Sequence, residues 1–215
     1  MSLSLDQVSI SLNGNALVAS FSLNLAAGEI VTLMGPSGSG KSTILQAIAG
    51  AIARPFTNSG KVLVRGQNVS QMPAAQRRIG RLFQDDLLFP HLTVGENLLF
   101  GMARGPREVR LAKMRLALDE IELPGTESRS PSTLSGGQRQ RVSLMRSLLA
   151  EPHAMLLDEP FNKLDENLRG AMRELTFAKL RATATPALLV THDKSDAPPH
   201  GRIFQIQNGE VKHVR

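Results

Sequence analysis

Three short stretches carry residue types able to handle a phosphorylated ligand. GPSGSGKST spans Gly35 to Thr43, LSGGQ spans Leu134 to Gln138, and the apolar run AMLL ends in Asp158-Glu159. The first fits G-x-x-x-x-G-K-[ST], with Gly35, Gly40, Lys41 and Ser42 in the fixed places. Glycines let the backbone curl so that successive N–H groups face phosphate oxygens, and the helix that follows adds its positive end. Gly35, Pro36, Ser37, Gly38, Ser39, Gly40, Lys41, Ser42 and Thr43 are therefore the predicted phosphate cradle of a nucleotide such as ATP. Lys41 is placed to bridge the β- and γ-phosphates, and the Ser42 hydroxyl to ligate Mg²⁺. A chance match in a Gly/Ser-rich turn is the bland alternative. The apolar strand before the loop and the helical spacing after it are the context the motif requires.

The carboxylates read the same way. Asp158, at the end of a buried strand, faces a ligand crevice and is predicted to hold Mg²⁺ directly or through water. Glu159 beside it is placed to deprotonate an attacking water, a role worth ~10²–10⁴ in rate. Two solvated acids at a strand end are the plain alternative. Ser135, Gly136, Gly137 and Gln138 repeat the physics of the first loop, with a small N-cap residue, bare N–H groups and a helix dipole. They lack a lysine and a preceding strand, so they read as half a site. One arrangement has them cover a γ-phosphate held by another copy's loop, two copies head to tail burying two ATP molecules. An ordinary glycine-rich helix start is the other reading, and spacing leaves both open.

The elements that must position these groups follow from periodicity. Val8, Ile10 and Leu12 alternate before Asn13-Gly14, and Phe21, Leu23 and Leu25 alternate after it, which predicts an antiparallel hairpin. EIVTLM, KVLVRG, IGRLF, HAMLLDE, ALLVTHD and RIFQIQ read as short strands, and STILQAIAGAI as a helix. From 85 to 150 helix formers dominate, as in PREVRLAKMRLALDEI and RVSLMRSLLA, the latter with Val142, Met145 and Leu149 on one face. Strand–helix alternation predicts an α/β fold with a parallel sheet. The expected organisation is one domain over 1–215, with a core of about 1–84 and 151–215 and a helical subdomain of about 85–150. The prolines in SDAPPH predict a short or broken helix there.

Composition bounds the partners. At 41% apolar and 20% charged, the chain suits a globular core, and its net charge of +6 is dispersed. It therefore selects no acidic partner among nucleotide, nucleic acid and membrane surface. The absence of cysteine excludes disulfides and thiolate metal sites. No segment reaches the ~18 consecutive apolar residues of a membrane helix, and the N-terminus has no leader-like pattern, so a cytosolic chain is expected.

Taken in order, GPSGSGKST, Gln84 in RLFQDD, LSGGQRQRV, AMLLDEP, Leu164-Asp165 and His192 in VTHD resemble the ATP-binding subunit of a bacterial ABC transporter. The likeness covers nearly the whole chain. It implies a P-loop NTPase with a RecA-like parallel sheet core, an N-terminal antiparallel β subdomain and an inserted helical subdomain. It also implies ATP and Mg²⁺ as cofactors and a homodimer closed around ATP. By the same resemblance Gln84 is a Mg²⁺ ligand and sensor, and Asp165 sits in the loop contacting the opposite subunit's site. His192 contacts the γ-phosphate and steadies Glu159 as the catalytic pair. Elsewhere a glutamine at a strand end is ordinary surface, and a histidine after a strand an ordinary solvated residue. His91, His153, His200 and His213 are given no chemical role.

FQDDLLFPHLTVGENLLFGM and DEPF resemble importers of ions, polyamines, sulfate, molybdate or thiamine. The implied partners are integral membrane permease subunits, docked on apolar residues such as Leu87, Leu88, Phe89 and Leu92, and an extracytoplasmic solute-binding protein. Those same residues could instead pack the helical lobe. The implied location is peripheral, on the cytoplasmic face of the inner membrane, with no nucleic acid partner. The rival readings are a soluble ABC-type ATPase acting on nucleic acid or ribosomes, an exporter ATPase, and a small-molecule kinase. The kinase reading leaves LSGGQ and Glu159 without a task. Three departures stand out. Leu12 occupies the place where the family stacks an aromatic residue on adenine, in a chain with no tyrosine or tryptophan. Asn162 and Lys163 stand where Ser-Ala or Ser-Asn is common. The sequence stops at Arg215, so the regulatory domain of ~100 residues that many importer ATPases carry is expected to be absent.

Overall fold

The computed structural model describes residues 2–215. In chain order, β1 (Leu3–Leu12) and β2 (Asn15–Leu25) form a hairpin, and β3 (Ile30–Met34) runs through a loop into α1 (Lys41–Ala49). β4 (Phe56–Val64), β5 (Gln67–Asn68) and β6 (Ile79–Leu82) follow. Next come α2 (Val94–Gly101), α3 (Arg107–Glu120) and α4 (Gly136–Leu149). β7 (Ala154–Asp158), α5 (Glu166–Ala182), β8 (Ala187–Val190), β9 (Ile203–Gln207) and β10 (Glu210–His213) complete the chain.

The strands form two sheets, an antiparallel one ordered β2-β1-β4-β5 and a six-stranded one ordered β10-β9-β3-β8-β7-β6. The second is parallel except for β10, which pairs antiparallel with β9 through the Asn208-Gly209 turn. The first hairpin turns at Asn13 and Gly14, whose φ of 49° and 83° suit the twist of a two-residue hairpin loop.

The parallel strands are buried on both faces, and alternate residues feed two different cores. Val31, Leu33, Leu156, Leu188 and Val190 pack toward α1 and the antiparallel sheet. Ile30, Met155, Leu157, Ala187 and Leu189 pack toward α5 and the helical segment. This α/β, P-loop architecture is the predicted fold class.

Some elements differ from the sequence reading. The helix over STILQAIAGAI stops at Ala49, because Gly50 takes φ 73° and caps it. Arg77 closes that end too, donating to the Ala47 and Ile48 carbonyls at 3.2 and 2.8 Å. α4 is buried on more than one side, Leu144 being enclosed along with Val142 and Met145, while Leu149 is only half-buried. α5 was not foreseen; its buried Met172, Thr176, Phe177 and Leu180 hold a helical stripe that polar neighbours obscure. Around 87–92, Leu88 is buried, Phe89 and Leu92 are half-buried, and Leu87 is exposed.

Candidate nucleotide site

The loop between β3 and α1 depends on its glycines. Gly38 and Gly40 take φ of 78° and 95°, and a Cβ on Gly35 would meet Ile206 Cγ2 at 2.3 Å. α1 begins with no side-chain cap and no acidic residue in its first turn, which leaves its N–H groups and positive dipole end for an anion. Lys41, almost fully buried, folds back to donate to the carbonyls of Gly35 and Pro36 at 2.7 and 2.8 Å. Burial lowers its pKa, opposed by the charges of Glu159 and Asp158.

Asp158 ends β7 beside the start of α1, and Ser42 Oγ donates to its Oδ1 at 3.1 Å. Burial pushes the Asp158 carboxyl above its usual range, against the Ser42 hydrogen bond and the guanidinium of Arg81. Glu159 sits at φ 48°, and its N–H donates to the Val190 carbonyl at 2.9 Å, a backbone turn that swings its side chain to the end of β8. There Glu159 Oε1 lies 2.9 Å from His192 Nδ1. The carboxylate is 14% exposed and the imidazole 68%, so the pair faces solvent at a rim. A buried network supports this rim: Thr191 Oγ1 donates to Asp196 Oδ2 at 2.9 Å, and Arg169 forks onto Asp196 at 2.8 and 2.7 Å. Arg169 and Asp196 lie in different elements and carry no motif, so the sequence reading missed them.

Two neighbouring cavities share Gly38, Lys41 and Ser42. One, of ≈ 280 Å³, is polar and also lined by Ser37, Gln84, Asp158, Glu159, Asn162 and His192. The other, of ≈ 320 Å³, is walled by Leu12, Leu17 and Phe56 beside Gly40 and Thr43. Leu12 and Phe56 face each other across β1 and β4, so the pairing brings an aromatic ring to the cavity Leu12 lines. Phe56 escaped the sequence reading because it lies 44 positions from Leu12. A larger cavity of ≈ 750 Å³ lies behind the loop between Met34, Ile203 and Val214. Gly35, Pro36 and His192 line it but no carboxylate does, whereas Asp158 and Glu159 both line the smaller polar cleft.

The remaining candidates lie elsewhere. Ser135 caps α4 in a reciprocal box: its Oγ accepts from Gln138 N at 3.2 Å, and Gln138 Oε1 accepts from Ser135 N at 2.9 Å. Gly137 packs against the loop after Glu159, where an added Cβ would meet the Lys163 carbonyl at 3.2 Å. Asp165 caps α5 through Leu168 N at 3.0 Å. Ser135, Gly136, Gly137, Gln138 and Asp165 line neither cavity. Beyond Gln84, Asp85 pairs with Lys163 at 3.2 Å and Asp86 with Arg139 at 2.9 Å, tying the exit of β6 to that loop and to α4.

The donor set suits Mg²⁺. A serine hydroxyl bonded to a carboxylate offers hard oxygens, and the Gln84 amide lines the same cleft. Among the described residues no three His, Cys, Asp or Glu form a metal cage. Mg²⁺ commonly takes only one or two protein carboxylates and completes its shell with phosphates and water.

A bare helix start behind a glycine loop, a carboxylate at the adjacent strand end and a Glu–His pair at the rim define a P-loop nucleotide-hydrolase class of protein. The chain belongs to the ABC transporter family, whose sequence model matches residues 18–162. It is 44% identical to the uncharacterized ABC transporter ATP-binding protein YnjD of Escherichia coli, over 93% of this chain and 92% of that one. It is 41% identical to the sulfate/thiosulfate import ATP-binding protein CysA of Caulobacter vibrioides over 89% of its length, spanning 58% of that relative. Among solved structures it matches the ATP-binding cassette MJ0796, a dimeric post-hydrolysis state bound to ADP and Pi. The TM-score is 0.85 at 30% identity, covering 99% of this chain and 98% of that one.

Proposed function

We propose that this chain is the ATP-hydrolysing subunit of a transporter that imports a small solute through separate membrane permease subunits. The observation carrying the reading is the convergence of Lys41, the Ser42–Asp158 pair and the Glu159–His192 pair on one polar cleft. In this reading Gly35 to Thr43 cradle the phosphates while Lys41 exchanges its two loop carbonyls for phosphate oxygens. Ser42, Asp158 and Gln84 would hold Mg²⁺, which would supply neutralisation of phosphate charge. Glu159 takes a proton from the attacking water, and His192, through its bond to Oε1, fixes the carboxylate's orientation. Leu12 borders the base.

The helix start at Ser135 to Gln138 lines neither cavity of its own chain, which supports a role in a second copy's site. Two copies then close on two nucleotides, with Asp165 near the contact, and hydrolysis reopens them. The neighbour, dimeric with ADP and Pi bound, supports the pairing of two copies. Among the described residues no helix is long and apolar enough to cross a membrane. The reading places the chain peripherally, on the cytoplasmic face of the inner membrane, beside the proposed permease. An extracytoplasmic solute-binding protein completes the proposed importer, a direction supported by the sulfate/thiosulfate import relative. Exposed Leu87 and Phe100, beside half-buried Phe89, offer the permease an apolar contact.

Glu159→Gln tests this. The variant should bind ATP, lose turnover by ~10²–10⁴, and elute as a dimer in ATP and a monomer without it. Wild-type turnover by the variant would remove Glu159 as the base.

A further inference from the structure

Arg81, on β6, lines neither cavity of the nucleotide site but sets its guanidinium beside Asp158. Its side chain is 10% exposed, and its Nη2 lies 3.8 Å from Asp158 Oδ2. Two residues on, Phe83 lies just past the end of β6 and puts its ring centroid 4.2 Å from the guanidinium carbon. Arg81 Nε is buried without a hydrogen-bond partner. A guanidinium is costly to enclose, and here it is held by one carboxylate and one ring rather than by a full set of acceptors.

The charges around the cleft give this a consequence. Lys41 faces both Asp158 and Glu159, and Arg81 adds a second positive charge beside Asp158. A divalent ion arriving alone therefore meets carboxylates that are already compensated. An ion arriving with a polyphosphate brings its own negative oxygens and meets no such barrier. We propose that Arg81 is a built-in counter-cation for Asp158 that makes the metal position conditional on nucleotide, so that the divalent ion is taken up with the triphosphate rather than ahead of it. The proposal rests on Asp158 being the metal ligand of the proposed function. It assigns Arg81 a positioning role that acts through Asp158.

Mn²⁺ serves as the probe, its free concentration read by electron paramagnetic resonance in titrations of the full chain with and without ADP. Wild type should take up Mn²⁺ far more tightly with ADP than without. Arg81→Met and Arg81→Gln should raise the nucleotide-free affinity at least about tenfold, the lower end of what an opposite charge at this range does to a carboxylate. With ADP present the gain should be much smaller. Arg81→Lys, which keeps the charge, should behave as wild type, and adding Asp158→Asn to Arg81→Met should abolish the gain. Circular dichroism identifies which variants fold; if Arg81→Met does not, Arg81→Gln against Arg81→Lys carries the comparison. Nucleotide-free affinity unchanged in the neutral variants, while Asp158→Asn weakens Mn²⁺ uptake with ADP, overturns the role of Arg81 alone. Uptake with ADP unaffected by Asp158→Asn removes Asp158 as the ligand, and the inference falls with it.

Discussion

At the residue scale, Phe56 and Asp158 give the sharpest expectations. Phe56 is the aromatic residue in the apolar cavity beside the phosphate loop, where Leu12 and Leu17 can offer only aliphatic contact. Stacking a base on an aromatic ring contributes ~1–3 kcal/mol. Phe56→Ala should therefore weaken ATP binding roughly 5- to 150-fold by calorimetry, while leaving tripolyphosphate affinity unchanged; equal losses for both would place Phe56 outside the base site. Asp158 predicts a pH effect in the nucleotide-free, metal-free chain. Its folded pKa is raised above 3.8, chiefly by burial, so the folded state keeps its proton where the unfolded state has lost it. Its contribution to stability is then largest at low pH and declines as pH rises from the ordinary value through the raised one. The melting temperature of wild type minus that of Asp158→Asn should accordingly shrink between pH 4 and pH 7. The motif residues Lys41, Ser42 and Asp158 were legible in sequence because their spacing is set by local backbone geometry. Phe56, Arg81 and Asp196 were not, because sheet pairing and loop docking brought them in.

At the element scale, two devices keep the loops in place. Gly35 leaves the end of β3 against β9, with Ile206 Cγ2 and the Ile206 carbonyl 2.3 and 2.9 Å from where a Cβ would sit. Because the second contact is backbone, Gly35→Ala has to displace the phosphate loop, and ATP affinity should fall at least about tenfold while the chain still folds. Calorimetry together with circular dichroism checks both halves of that statement. Phe161 anchors the loop after Glu159 from inside the core, fully buried and edge-on to Phe177 at 6.3 Å between centroids. Phe161→Ala should cost ~3–5 kcal/mol, which at ~2–4 °C per kcal/mol is a drop on the order of 10 °C in scanning calorimetry. Hairpins and strands were readable from alternation and Asn-Gly turns. α5 was not, since its apolar stripe is sparse and its burial against Leu157 and Leu189 depends on the sheet.

At the scale of the whole molecule, the question is which copy's Ser135 to Gln138 faces which phosphates. Lys41→Ala disables the loop, and Gly137→Asp disables the glycine-headed helix start by setting a bulky negative charge beside it. If each helix start serves the opposite copy, a mixed dimer contains one site with both parts intact. Mixing the two inactive variants should then recover ATP turnover that neither shows alone. If the parts work within one chain, mixing recovers nothing.

The sequence by itself determined the phosphate loop, the Asp158-Glu159 pair and the α/β alternation, because each is written in neighbours a few residues apart whose geometry is local. Tertiary structure alone decided what surrounds them. Strand pairing set Phe56 beside Leu12, parallel strands set Arg81 against Asp158, and the positive φ at Glu159 turned its carboxylate onto His192. Those contacts join residues far apart in the chain, and only the closed core, with its twisted sheet and two buried faces, fixes their distances.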